Sequence, residues 1–308
     1  MKRIIITLFS FALSACGNFN TQTSPVESQT PHSEAVVSAV DISSNGQFSV
    51  ISDDKGVCVW DNSNNKTIYG CKAVDGPQPR DIVGISGNNS VFFTSNRLQI
   101  DLYDLQTGTN IGRWATGMNI VGNMAISNSG KLILLGFKSG DVVIIRVGTP
   151  TVTTLNMHRL DINSIAINAS SDIAITGSSD KFVKVWRVDT GEVISELKLK
   201  TRVNHVNISA NGKTAFAIDA LSDRSFFDVA KNKEIASLNI STRFVEFNDS
   251  VFSANNKWFL TGSPNRAIRL WQVEDGALLA EWESYKEPSK DRASVLAVSF
   301  LNNSHVLS

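Results

Sequence analysis

Residues able to do chemistry are few in this 308-residue chain, and they do not gather into a recognisable constellation. The four histidines, His32, His158, His205 and His305, are scattered without metal-ligand spacing. No C-x-x-C, H-E-x-x-H, G-x-S-x-G or phosphate-loop pattern occurs. The sequence therefore assigns no catalytic residue, no metal ligand and no cofactor. Cysteine offers two other possibilities. Cys16 follows an N-terminal apolar run, where a thiol is open to modification. If the chain turns around Ser63 and Asn64, Cys58 lies opposite about Tyr69 and becomes a diagonal neighbour of Cys71. A disulfide is one reading and two buried thiols the other, because diagonal neighbours sit farther apart than direct pairs. Lys plus Arg equals Asp plus Glu at 29 each, so no global field favours nucleic acid.

The elements that position these residues announce themselves by a repeat. Trp60, Tyr103, Ile145, Trp186, Phe227 and Trp271 each close a short run of alternating apolar residues, at intervals of 43, 42, 41, 41 and 44. Strand-like units recurring every 40 to 45 residues or so are the sign of a β-propeller. A composition of 42% hydrophobic and 19% charged residues is ordinary globular material, enough to bury a sizeable core.

The clearest unit is 158–191, HRLDINSIAINASSDIAITGSSDKFVKVWRVDTG. Ile162, Ile165 and Ile167 mark a first strand, Ile173 and Ile175 a second, and Val183, Val185 and Trp186 a third. NASSD and SSD supply the turns, and residues 193–199 a fourth strand. The unit resembles the WD40 repeat, which places a His before the first strand, a Ser or Thr in the second, an Asp in the second turn and a Trp in the third. Those positions fall here on His158, Thr176, Asp180 and Trp186. The resemblance implies that the four side chains form a hydrogen-bonded chain inside the blade, a structural role. Other units keep less of it. The first retains Asp54 and Trp60, and the sixth retains Thr261 and Trp271 with Asn265 where Asp is usual. The resemblance spans about residues 34–308 and implies an all-β, WD40-type β-propeller. It is nearly silent on activity, since propellers host many functions.

The N-terminus carries a separate signal. Lys2 and Arg3 precede an apolar run over residues 4–13, which is too short to span a bilayer as a helix and fits the core of a signal peptide. Leu13, Ser14, Ala15 and Cys16 resemble the bacterial lipobox, implying a leader over residues 1–15 and a lipidated Cys16 as mature N-terminus. Two or three acyl chains hold a protein on a membrane where one would not. Gly17 in place of Asp favours the outer membrane by the sorting rule of that family. Residues 16–33 are polar and proline-bearing, the composition of a flexible tether holding the propeller on the order of 20 to 25 Å from the bilayer. An exported location also permits the Cys58–Cys71 disulfide.

Ring closure is the open question at this level. A seventh unit begins at SVLAVSFLNNSHVLS, with strands near 295–300 and 305–307, and the chain ends. The expectation is seven blades over residues 34–308 with the last truncated; the alternative is six blades with a two-strand appendage. Functionally, the expectation is a lipid-anchored periplasmic platform for a protein or peptide, the alternative an exported hydrolase or lactonase with its site at the central channel. Arg80, Arg159, Arg202, Arg243 and Arg292 all fall in, or at the end of, connections leading into a first strand. They suggest a basic ring on one face, suited to carboxylate or phosphate.

Overall fold

Runs of β-branched and aromatic residues, bounded by Gly, Asn, Asp and Ser turns, fold into four-stranded antiparallel sheets. The structure, a computed structural model, describes residues 5–10, 26–33, 35–72, 80–240, 245–286, 293–301 and 305–308. The fourth blade consists of Ile162–Ile167, Ile173–Ser178, Phe182–Arg187 and Val193–Lys198, paired in that order from the inside outward. Five other blades repeat this meander over residues 37–72, 82–115, 121–156, 203–237 and 249–283. All six landmark residues lie on third strands. Beside five of them, Trp60, Tyr103, Trp186, Phe227 and Trp271, the fourth strand slips register in a bulge, which adds local twist to the outer edge.

The core lies between blades. Ile175, Val183 and Val185 of the fourth blade pack on Val203, Val206 and Ala217 of the fifth, and each other joint of the ring has its own apolar cluster. Full burial of such a side chain is worth about 1.5–3 kcal/mol. The close approach needs glycine. A Cβ on Gly177 would fall 2.5 Å from Val203, and one on Gly262 would fall 2.5 Å from Val295.

Six blades come from continuous stretches of chain, and a seventh sheet is assembled from both ends. Its order from the inside is Ser299–Phe300, His305–Leu307, Ile5–Ser10 and Val26–Pro31. Phe9 pairs with Val306 and Ser10 with His305. The third strand that the truncated-blade expectation lacked is thus supplied by residues read as a leader, and the fourth by part of the predicted tether. The physical reason is the free edge of His305–Leu307, whose unpaired backbone groups template any extended β-branched segment, here IITLFS. At the end of the segment expected to be a tether, the His32 ring packs 4.1 Å from that of Trp60, and the Ser33 hydroxyl donates to Asp53 at 2.7 Å. Cys16 lies outside the described residues.

Register corrects the cysteine geometry too. Val59, not Cys58, pairs with Tyr69, and Val57 pairs with Lys72, so a register shift places Cys58 across from residues 70–71. Cys58 is fully buried and disulfide-bonded rather than a free thiol, while the side chain of Cys71 lies outside the described set.

Candidate binding face and central channel

In the fourth blade the connection entering the inner strand lies against the second turn. The Arg159 N–H donates to the Asp180 carboxylate at 3.0 Å, and the Ser178 hydroxyl donates to the Leu160 carbonyl at 3.0 Å. His158 Nδ1 sits 3.1 Å from Asp180, and its Nε2 sits 2.9 Å from Thr176 Oγ1. A carboxylate only accepts, so Nδ1–H is the donor and Nε2 accepts the threonine proton. Burial lowers the His158 pKa against the pull of Asp180, which keeps the ring neutral. Burial opposes ionisation of Asp180, but the N–H groups of Arg159 and Phe182, together with His158, hold its pKa below the usual carboxylate value.

The expected fourth member does not join. Trp186 is fully buried, yet its indole N–H has no acceptor among the described residues. In the sixth blade, whose incoming connection contains no histidine, Trp271 Nε1 donates to Thr261 Oγ1 at 3.0 Å. In the fourth blade the matching threonine gives its proton to His158 and takes none from Trp186.

The bond from turn carboxylate to incoming connection recurs with other residues. Asp219 accepts from the Thr201 N–H and hydroxyl at 3.0 and 2.9 Å, and Asp53 accepts from Ser33, Lys55 and Gly56. The residue that the repeat pattern points to, Asp54, is exposed. Asp53 and Asp219 end their second strands, whereas Asp180 stands two residues beyond its strand, so a fixed motif offset misses them.

The arginine ring contracts. Arg80 is fully buried, with its guanidinium 2.9 Å from the equally buried Asp101, which also takes Arg113. It stands just before the inner strand Ile82–Ile85 and turns back onto the third strand of its own blade, where a desolvated charge finds its counter-ion. Arg159 and Arg202 are exposed on the face formed by the incoming connections and second turns. Arg243 and Arg292 lie outside the described residues.

No sequence signal marked the feature that distinguishes this face. Val36, Leu98, Met118, Ile120, Leu160, Leu221 and Tyr285 are exposed large apolar side chains, and all seven sit on these loops. The other four exposed ones among the described residues, Ile111, Val152, Val193 and Ile235, lie on outermost strands; none is on the loops of the opposite face. Met118 is 97% exposed.

The inner strands surround a channel of about 660 Å³, polar at Asp41, Asn123, Ser164, His205, Asn207 and Asp249. Its polar groups stitch neighbouring blades. Asp41 accepts from the N–H of Ile42 at 2.9 Å and, in the next blade, of Ile85 at 2.8 Å. Asp249 accepts from Ser250 and Val298 at 2.8 Å each, and the Val206 N–H donates to Ser164 Oγ at 3.0 Å. Burial pushes Asp41 up to about 6; burial and then the charge of Asp41 push Asp249 up to about 7. Burial pulls His205 down to about 4, and its Nε2 lies 2.7 Å from Ser250 Oγ. Both oxygens of each carboxylate are held by backbone N–H groups, an arrangement for joining blades. Among the described residues no three His, Cys, Asp or Glu stand together as a metal site.

Comparison with known proteins agrees with this geometry. The WD domain, G-beta repeat family matches residues 23–61 and 238–272, and the Nucleolar protein 10-like N-terminal domain matches residues 90–228. The chain is 21% identical over 194 residues to Pre-mRNA-processing factor 19 homolog 2 of Arabidopsis thaliana, covering 60% of this chain and 35% of that protein. It is 26% identical over 161 residues to Eukaryotic translation initiation factor 3 subunit I of Debaryomyces hansenii, covering 48% and 46% respectively. It therefore spans less than half the length of these curated relatives. Among solved structures, the computationally designed Ika8 protein superposes with a TM-score of 0.69 at 17% identity, over 92% of this chain and 87% of that one. Third-strand landmarks, inter-blade cores, turn carboxylates and these matches converge on the fold class: an all-β, WD40-type β-propeller.

Proposed function

We propose that this propeller is a non-enzymatic interaction platform that receives a protein partner on the face formed by its incoming connections and second turns. The observation that carries the reading is the gathering of seven exposed apolar side chains on that face, with none on the loops opposite among the described residues. Such patches mark interaction surfaces on otherwise well-packed domains. The relatives' names, a translation factor subunit and a processing factor, fit a protein that works beside others. The test is a photo-crosslinking residue placed at Met118, and in a second variant at Asp189 on the opposite face, in the full chain in its own cells. Capture of a discrete protein from Met118 and none from Asp189 is expected. Equal capture, or none from Met118, overturns the reading.

The anchoring part of the proposal rests on Lys2, Arg3, the apolar run and LSAC alone. It puts the platform on the cell envelope through a lipidated Cys16, with the outer membrane favoured. The plant and yeast relatives lend the anchor no support. It also competes with the seventh sheet, because cleavage before Cys16 removes Ile5–Ser10 from the place of its third strand. Fatty-acid labelling separates the two. Label lost in Cys16→Ser supports the anchor, whereas an unlabelled protein retaining residue 5 supports the strand.

A further inference from the structure

Charge is distributed unevenly over the binding face. Across blades three to five, Lys138, Arg159, Lys181 and Arg202 are exposed, and none makes an ion pair with another described residue. The acids of the same sector lie deeper: Asp141, Asp161, Asp180 and Asp223 are half-buried and Asp219 is buried, with Asp180 and Asp219 on turn N–H groups, Asp141 on the Ser139 and Asn156 side chains, and Asp223 on Lys200. The opposite face, by contrast, mixes exposed Asp172, Asp189 and Glu274 with its lysines.

Two exposed leucines lie within this basic sector, Leu160 at 51% and Leu221 at 45% exposure. Hydrogen bonds make the surface continuous. His158 N–H donates to the Gly140 carbonyl, Ser179 N–H to Asp161, Leu199 N–H to Lys181 and Ala220 N–H to Arg202. The loops of three successive blades are thus held edge to edge, and their cations and leucines form one strip rather than separate points.

We infer that this strip, from Lys138 to Leu221, docks an acidic protein segment with leucine-like side chains spaced among its carboxylates. The inference rests on the platform reading and names the chemistry of its partner. Carboxylates meet four cations that have no internal counter-ion, and the apolar side chains cover Leu160 and Leu221. A partner of opposite charge gains in on-rate and register, and like-charged chains are repelled. Neither leucine belongs to an inter-blade core, so both are available without disturbing the fold.

The test uses the full chain and a fluorescently labelled peptide of alternating Glu and Leu. Controls are a Lys–Leu peptide, a Glu–Ser peptide and phosphatidylglycerol vesicles. The Glu–Leu peptide should bind best, and Arg159→Glu with Arg202→Glu should weaken it about tenfold or more at low salt, the difference shrinking as salt screens the charges. Leu160→Ser with Leu221→Ser should weaken it with the salt dependence retained. Circular dichroism checks that each variant folds, and Arg159→Gln with Arg202→Gln, predicted to be intermediate, guards against a folding artefact. Equal binding of the Lys–Leu peptide, or indifference to both leucine and arginine changes, overturns the inference. Preferential binding to the vesicles overturns it too and points to a membrane surface. If the Met118 crosslink captures a protein while these variants change nothing, the platform stands and the strip falls.

Discussion

Trp186 and Trp271 make a matched pair for separating packing from polar satisfaction. Both are fully buried on the third strand of a blade, and both face apolar neighbours from the adjoining sheet. Replacing either with Phe removes the same part of the ring, so the cavity cost is common to both and cancels to first order in the comparison. The N–H is what differs. Trp271→Phe deletes a 3.0 Å bond to Thr261, at about 0.5–1.5 kcal/mol. Trp186→Phe deletes a donor with no acceptor among the described residues, returning about 1–3 kcal/mol of desolvation cost. Trp271→Phe should therefore destabilise more than Trp186→Phe by about 1.5–4.5 kcal/mol, the sum of the two terms. Urea unfolding followed by far-UV circular dichroism reads the difference without relying on indole fluorescence, and it appears as a lower midpoint at similar slope. A Thr261→Val and Trp271→Phe double-mutant cycle should show coupling, with no comparable coupling between Thr176 and Trp186. Equal destabilisation, or a larger loss at Trp186, refutes the argument and means that the Trp186 N–H is satisfied in solution.

The channel carboxylates predict an unusual pH slope. Asp41 and Asp249 are raised from 3.8 to about 6 and about 7, so their contribution is fully present below 3.8 and lost as pH rises through those values. His205, lowered from 6.5 to about 4, acts in the opposite sense, but only below 6.5. Wild-type stability should fall from roughly pH 6.5 to roughly pH 8, and Asp249→Asn should remove most of that fall; a wild type that gains stability over this range contradicts the burial argument. At the first blade's second turn, Asp53→Ala should cost about 2–4 kcal/mol through lost charged hydrogen bonds while Asp54→Ala changes stability by no more than about 0.5 kcal/mol. Chemical unfolding of the two single variants checks the order, and similar losses would return the structural role to Asp54.

The fold was legible because a propeller writes its period into its landmarks. Trp60, Tyr103, Ile145, Trp186, Phe227 and Trp271 mark third strands whether or not they keep the indole, since the position demands bulk before it demands a hydrogen bond. His205 lies on an innermost strand with its ring against Ser250. Details that depend on a single-residue offset were not legible. The motif offset points to Asp54 where the bond falls on Asp53, and the hairpin count sets Cys58 against Tyr69 instead of residues 70–71, because turns and bulges absorb one residue without altering the period. Arg80 looked like its counterparts in other connections. Its partner Asp101 lies on a third strand, and nothing in the spacing announces a pairing made only once the blade has folded. The apolar loops of the binding face carry no period at all, so exposure in three dimensions was needed to find them.

The stitching around the channel has a consequence for how this sequence tolerates change. By hydrogen bonds Asp41 reaches the next blade, as do Ser164 and Asn207, and Asp249 reaches the sheet that follows it. Ser299 then donates to Ser43, which brings the bonds back to the first blade. In its hydrogen bonds and packing the molecule is a necklace whose links touch two neighbours, the one-dimensional coupling of repeat proteins bent into a circle, while the charge of Asp41 on Asp249 acts across the channel. A flaw in one link is diluted by the soundness of those on either side, which is how a blade with Ile145 or Phe227 in place of tryptophan persists beside one with Trp186. A necklace also has no privileged clasp. Cutting the chain at a third-to-fourth-strand turn, such as the one at Asp189–Gly191, and joining the ends elsewhere would leave every link and both its neighbours in place.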